Sequence, residues 1–172
     1  MSGPPRLPAR PERMALFQAI RLIERAARTE GRAGRLGEAA HPGDEPVRLA
    51  ARPGTAFPAS EIAEIREGRG EAPPEIVVNA FGLFGPMGTL PQAYSDLISA
   101  RLRAQDTALA GFLDLFNHRL GALFYRAWAK YRLPIAHERA DPGADDAISR
   151  LLYALIGHGL PALRGRAPVP DA

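Results

Sequence analysis

Between Asp106 and Arg132 the chain reads DTALAGFLDLFNHRLGALFYRAWAKYR, with apolar residues at Phe112, Leu115, Phe116, Leu120, Leu123, Phe124, Ala127 and Tyr131. That spacing predicts one helix sustained over about five turns. At 1.5 Å per residue it is about 37 Å long. At 100° per residue, Phe112, Phe116, Leu120, Leu123 and Tyr131 fall on one face, with Trp128 on its flank. Tyr125 lies nearly opposite, in a stripe with Asp114, His118 and Ala122. The segment holds six of the chain's twelve aromatic residues, more surface than a small domain readily covers. Two arrangements fit: a central helix wrapped by this chain's own elements, or a helix with one side covered by a partner subunit. The second is preferred, with Tyr125 or Trp128 as anchors. Gly121-Ala122 is a small patch where another helix could come close.

The remaining pattern is shorter-ranged. Met14 to Arg28 is an amphipathic helix with Leu16, Ala19, Ile20, Ile23 and Ala27 on one face. Residues 30–46 and 67–74 are Gly-, Glu- and Pro-rich loops. Val47 to Ala50 and Glu75 to Phe81 are strand candidates, the latter with the β-branched centre of a buried strand. Between them, Phe57 to Ile65 alternates apolar and polar residues. GLFGPMGTLP (82–91) is a multi-turn loop, followed by a helix whose face carries Tyr94, Leu97, Ile98 and Leu102. Asp106 is a candidate N-cap for the long helix, and Leu133-Pro134 a candidate stop. A polar turn at Asp141-Pro142-Gly143 leads to a last helix, about Asp145 to Ile156, closed by Gly157. The expected fold is α+β and mostly helical: a long central aromatic-rich helix with a few short strands.

Composition narrows the class. There is no cysteine, which removes disulfides and thiolate metal sites. No window approaches the ~20 apolar residues that span a bilayer, and no apolar h-region follows the basic start. The net charge is only +3, yet Lys130 is the single lysine among 22 cations. Arginine suits protein and nucleic-acid interfaces alike, but the basic residues are interspersed with acids and form no track. An Arg-rich nucleic-acid-binding module is therefore the alternative function, not the leading one.

Candidate chemistry is sparse. Asp114 and His118 stand i, i+4 on one helix face, where a carboxylate could orient a histidine. The plainer reading is a structural pair in a polar stripe, because His41, His137 and His158 have no ligand spacing. The 82–91 loop has glycines that could cradle a phosphate, but it has no Walker lysine and two prolines that donate nothing. Ser60 and Ser95 lie in no nucleophile elbow. No catalytic residue, metal site or cofactor is expected.

The ordered blocks FQAIRLIER, PVRLAARPGTAFPASEI, IVVNAFGLFGPMGTLP and RLRAQDTALAGFLDLFNHRLGALFYRAWAKYR resemble the N-terminal half of the TssG (ImpH, VasB) family of the bacterial type VI secretion baseplate. The resemblance runs from about Met14 to Arg166. It frames the chain as a disordered Pro/Arg-rich arm (1–12), a TssG-like region (13–166) and a tail (167–172) where the family continues into a second half. It implies a non-enzymatic structural subunit that joins two copies of TssF in a wedge and links to TssK and TssE. It also implies a cytoplasmic location, docked at the inner membrane only indirectly through the secretion apparatus, with no small-molecule substrate and no nucleic acid. The residues expected to meet a partner are Phe112, Phe116, Phe124, Tyr125, Trp128 and Tyr131.

Overall fold

The computed structural model describes residues 10–29, 31, 34–38, 41–68, 70, 72–139 and 145–163. Most of the expected arm and all of the tail, together with the 141–143 turn, lie outside these; of the arm, Pro11 and Glu12 belong to a 3-10 turn at Pro11–Arg13. The described elements are five helices and three strands, an α+β fold that is mostly helical. The chain divides into two compact units, Met1–Arg126 and Ala127–Ala172.

The first unit is built on a small sheet of β1 (Arg48–Ala51), β2 (Ile62–Arg66) and β3 (Glu75–Val78) in the order β1-β3-β2. β1 runs parallel to β3 and β2 antiparallel to it, with a register shift between Ile62 and Glu64. The expected strand at Glu75 stops three residues early, because Ala80 to Gly82 turn away into the loop. Ile62, Ile76, Val77 and Val78 are buried, as the β-branched centre of β3 requires. Helix α1 (Leu16–Thr29) buries Leu16, Ala19, Ile20, Ile23 and Ala27, the face read from the sequence. Its first turn is met by Glu61, whose carboxylate accepts from the Leu16 amide at 2.7 Å.

Helix α2 (Gln92–Arg103) starts directly after Pro91, and only the inner half of its expected face is covered. Ile98 is buried and packs with Ala51, Phe84, Leu102, Leu109, Ala110 and Leu113, whereas Tyr94 and Leu97 remain exposed. Gln105 takes a left-handed conformation (φ 63°) at the corner between helices. The long helix α3 then runs Ala108–Lys130, about 34 Å at 1.5 Å per residue. Asp106 does cap it, accepting from the Ala108 amide at 3.0 Å.

In the second unit the helix stop expected at Leu133-Pro134 is instead a start. Helix α3 has ended by Tyr131, and Pro134 occupies the first turn of α4 (Leu133–Arg139), where its missing N–H costs nothing. Helix α5 (Ala147–Leu155) is capped by Asp146, which accepts from the amides of Ile148 and Ser149 at 2.9 and 3.1 Å. The hydroxyl and amide of Ser149 hold the Asp146 carboxyl down at about 2, so the cap is charged at any ordinary pH. Replacing Asp146 with Ala should remove about 1 kcal/mol from this helix. Amide exchange at Ile148 and Ser149 should accelerate; unchanged protection there would refute the capping role.

Candidate interaction surface

Strand β1 is an edge strand, and its outward amides need acceptors that no further strand supplies. Helix α3 supplies them from side chains. The Leu49 amide donates to Nδ1 of His118 at 3.2 Å, and the Ala51 amide donates to Oδ1 of Asp114 at 2.9 Å. The fit follows from two repeats: four helical residues rise ~6 Å and two strand residues ~6.6 Å. A helix running antiparallel to the strand can therefore match its free amides with an i, i+4 pair. Asn117 extends the arrangement, accepting from the Leu83 amide at 2.8 Å and donating to Asp114 Oδ1 at 2.8 Å. Gly121 completes the close approach, since a Cβ there would meet the Phe81 ring at 2.6 Å and Leu49 Cδ1 at 2.7 Å. The small patch at Gly121-Ala122 thus receives side chains of β1 and the loop after β3, not another helix.

One turn on, the Tyr125 hydroxyl donates to Glu24 of α1 at 2.9 Å, and the other oxygen of Glu24 accepts from the Leu36 amide. Gly37 is held from both sides: its amide donates to Glu45, and its carbonyl accepts from Arg119 and Arg126 at 3.2 and 3.1 Å. Each buried carboxylate here has a donor, as burial demands. Burial raises the Asp114 and Glu45 pKa values, against the hydrogen bonds that each accepts. Burial also lowers that of His118, helped by Arg48 and Arg119. Because Nδ1 accepts from Leu49, His118 is neutral with its proton on Nε2.

This reverses the side of α3 expected to be covered by the chain itself. Tyr125, expected as a partner anchor, is 0% exposed and contacts Phe17 and Glu24 within the first unit. The stripe Asp114, His118, Ala122, Tyr125 is the inner face. The apolar stripe faces outward: Phe112, Leu115, Phe116, Leu120, Leu123 and Phe124 are all exposed, Leu115 by 68%. Phe112 and Phe116 pack edge-to-face on one another at 5.3 Å, while Phe124 leans on Phe17 and Phe81. In the second unit Tyr131 is 80% exposed, and Trp128 is partly covered by the Arg132 guanidinium, 4.5 Å from its ring. Of the six residues expected to meet a partner, Phe112, Phe116, Phe124 and Tyr131 present free surface, Trp128 presents part, and Tyr125 none.

The other candidates are occupied locally. In the 82–91 loop the Gly85 amide donates to Ser95 Oγ, and those of Gly88, Thr89 and Leu90 donate to carbonyls of the loop itself. Phe84 anchors the loop in the core, and Gly85 (φ 98°) sits so close to the Arg52 carbonyl that no Cβ would fit. Ser60 donates to the Ile62 carbonyl. A cleft of about 460 Å³ flanks α3, lined by Arg48, Leu49, Glu75, Leu115, His118 and Arg119 among others. Among the described residues no group of His, Cys, Asp or Glu is placed to hold a metal ion, and no helix is long and apolar enough to cross a membrane.

Two predictions test the inner face. His118 is depressed in the fold, so its contribution is present in full above the ordinary value near 6.5 and is lost as pH falls through the folded value. Asp114 and Glu45, both raised, act in the opposite sense at lower pH. The urea midpoint should therefore fall between pH 7.5 and 5.5, and His118→Asn, which keeps an acceptor at the δ position without titrating there, should flatten that fall. Parallel slopes would exclude His118 as its source. Gly121→Val should cost about 1–3 kcal/mol by overpacking, read as a lower urea midpoint at constant m-value.

The match to known proteins agrees with this arrangement. The family model for type VI secretion TssG covers residues 10–172. No curated protein and no solved structure matches the chain. With the family model spanning nearly the whole sequence, the chain belongs to the TssG family and is a subunit of the type VI secretion baseplate.

Proposed function

We propose that this subunit works by protein–protein contact alone, with the outward face of α3 as its principal docking surface in a wedge with two copies of TssF. Links to TssK and TssE, and through them to the membrane-bound part of the apparatus on the cytoplasmic side, follow from the same family assignment. No substrate, cofactor or nucleic acid enters this reading.

The observation that carries it is the orientation of α3. Each of Phe112, Phe116, Leu120 and Leu123 would contribute about 1.5–3 kcal/mol on burial. Each strand amide that the opposite face satisfies is worth about 1–3 kcal/mol. An isolated chain would gain more by turning the apolar side inward, yet it carries Asp114, Asn117 and His118 inward and leaves four turns of apolar surface outside. A contiguous patch of that kind on a subunit of an assembly is an interface. The Arg-rich composition gains no support as a nucleic-acid site, since Arg119 and Arg126 are both bonded to Gly37 and Arg66 is paired with Glu64 and Glu75.

Leu120→Glu places a charge at the centre of the face while touching nothing in the core. TssF co-purification should fall at least about tenfold, the expectation for a charge buried at an interface centre, with the circular dichroism and urea midpoint unchanged. Recovery of TssF at the wild-type level would remove α3 from the contact. Tyr125→Ala is not an equivalent test, because it opens a cavity and strips Glu24 of a donor inside the fold.

A further inference from the structure

The outward sector of α3 is not only apolar; its charges have one sign. The single acid of the helix, Asp114, is turned inward onto Ala51. The cations Arg119 and Arg126, seven residues apart, lie on the same edge of the sector, in line with Leu115. Both are tethered through the Gly37 carbonyl, so their guanidinium groups stand in fixed positions beside the apolar stripe, and Glu38, 3.7 Å from Arg126, is the one acid beside them in an ion pair. The 460 Å³ cleft opens on this same edge, sharing Leu115 and Arg119 with the stripe and bringing in the further cation Arg48.

From this we infer that the outward face of α3 receives an amphipathic helix of a different polypeptide, one that carries acidic residues along the flank meeting Arg119 and Arg126, and that it does not pair with a second copy of this chain. The inference rests on the docking role proposed above and specifies the occupant. A two-fold pair of α3 helices would set each arginine edge against the same helix of the copy, whose outward sector offers no acid in return. An acidic flank answers those charges with bidentate bonds to guanidinium groups that are already positioned, which limits the entropy lost on docking. The apolar side chains of the incoming helix cover Phe112, Phe116, Leu120 and Leu123, and one side chain at its edge enters the cleft beside Leu115.

Two designed amphipathic peptides with one shared apolar stripe, flanked by Glu in one and by Lys in the other, provide the test against the full chain. The Glu-flanked peptide should bind about tenfold more tightly at low salt, as two or three partly exposed pairs allow, and the gap should close at high salt. Both peptides should lose binding to Leu120→Glu. Equal affinities, a preference for Lys, or no binding of either overturns the inference. In sedimentation the chain should stay monomeric as concentration rises; a dimer that Leu120→Glu dissolves overturns it as well. If TssF recovery depends on Leu120 but neither peptide preference nor salt sensitivity appears, the docking role stands and only the charge assignment fails.

Discussion

The first unit depends on one arrangement: a helix standing where a fourth strand would be. β1 lies at the edge of a three-stranded sheet, and the amides of Leu49 and Ala51 would otherwise be half-buried without partners. His118 and Asp114 meet them because the i, i+4 rise of a helix nearly equals the two-residue repeat of a strand. This sets the rotation of α3 about its axis. Once those two side chains point inward, Asn117 reaches the Leu83 amide, Gly121 admits Phe81 and Leu49, and Tyr125 reaches Glu24. The apolar stripe is left on the far side by the same rotation.

The other devices of the unit serve this placement. Glu24 and Glu45 bond the Leu36 and Gly37 amides, while Arg119 and Arg126 bond the Gly37 carbonyl, so the segment between α1 and β1 is fastened to the flank of α3. Buried charges of this sort add little net stability beside an apolar alternative, but breaking one is costly. They fix which face goes in. Function then follows from what has been left out. A baseplate subunit needs a surface that is apolar, rigid and unsatisfied by its own chain, and the polar inner face of α3 is the reason that such a surface survives folding.

Much was legible beforehand, and the limits are specific. The buried face of α1, the position of β3, the corner at Gln105 and the Asp106 cap were all readable, because each is a local pattern of propensity, periodicity or capping. Pro134 misled, since proline after Leu133 reads equally as a stop and as a first-turn residue. The expected pair Asp114 and His118 was seen as neighbours, but their partners lie 63 and 69 residues away in the chain, and no local signal points there. Tyr125 was misplaced for the same reason, with its hydroxyl partner 101 residues distant.

The sequence by itself determined that a long helix exists, that its two sides differ in chemistry, and that its ordered blocks belong with the TssG family. Only the tertiary structure decided which side is which. Periodicity measures how apolar residues are distributed around an axis, and an apolar face is ordinarily assigned to the core because that is where single chains bury it. The sheet edge overrides the assignment here: unpaired amides must find acceptors, the acceptors sit on the polar side, and the need is visible only once β1 is seen at the edge.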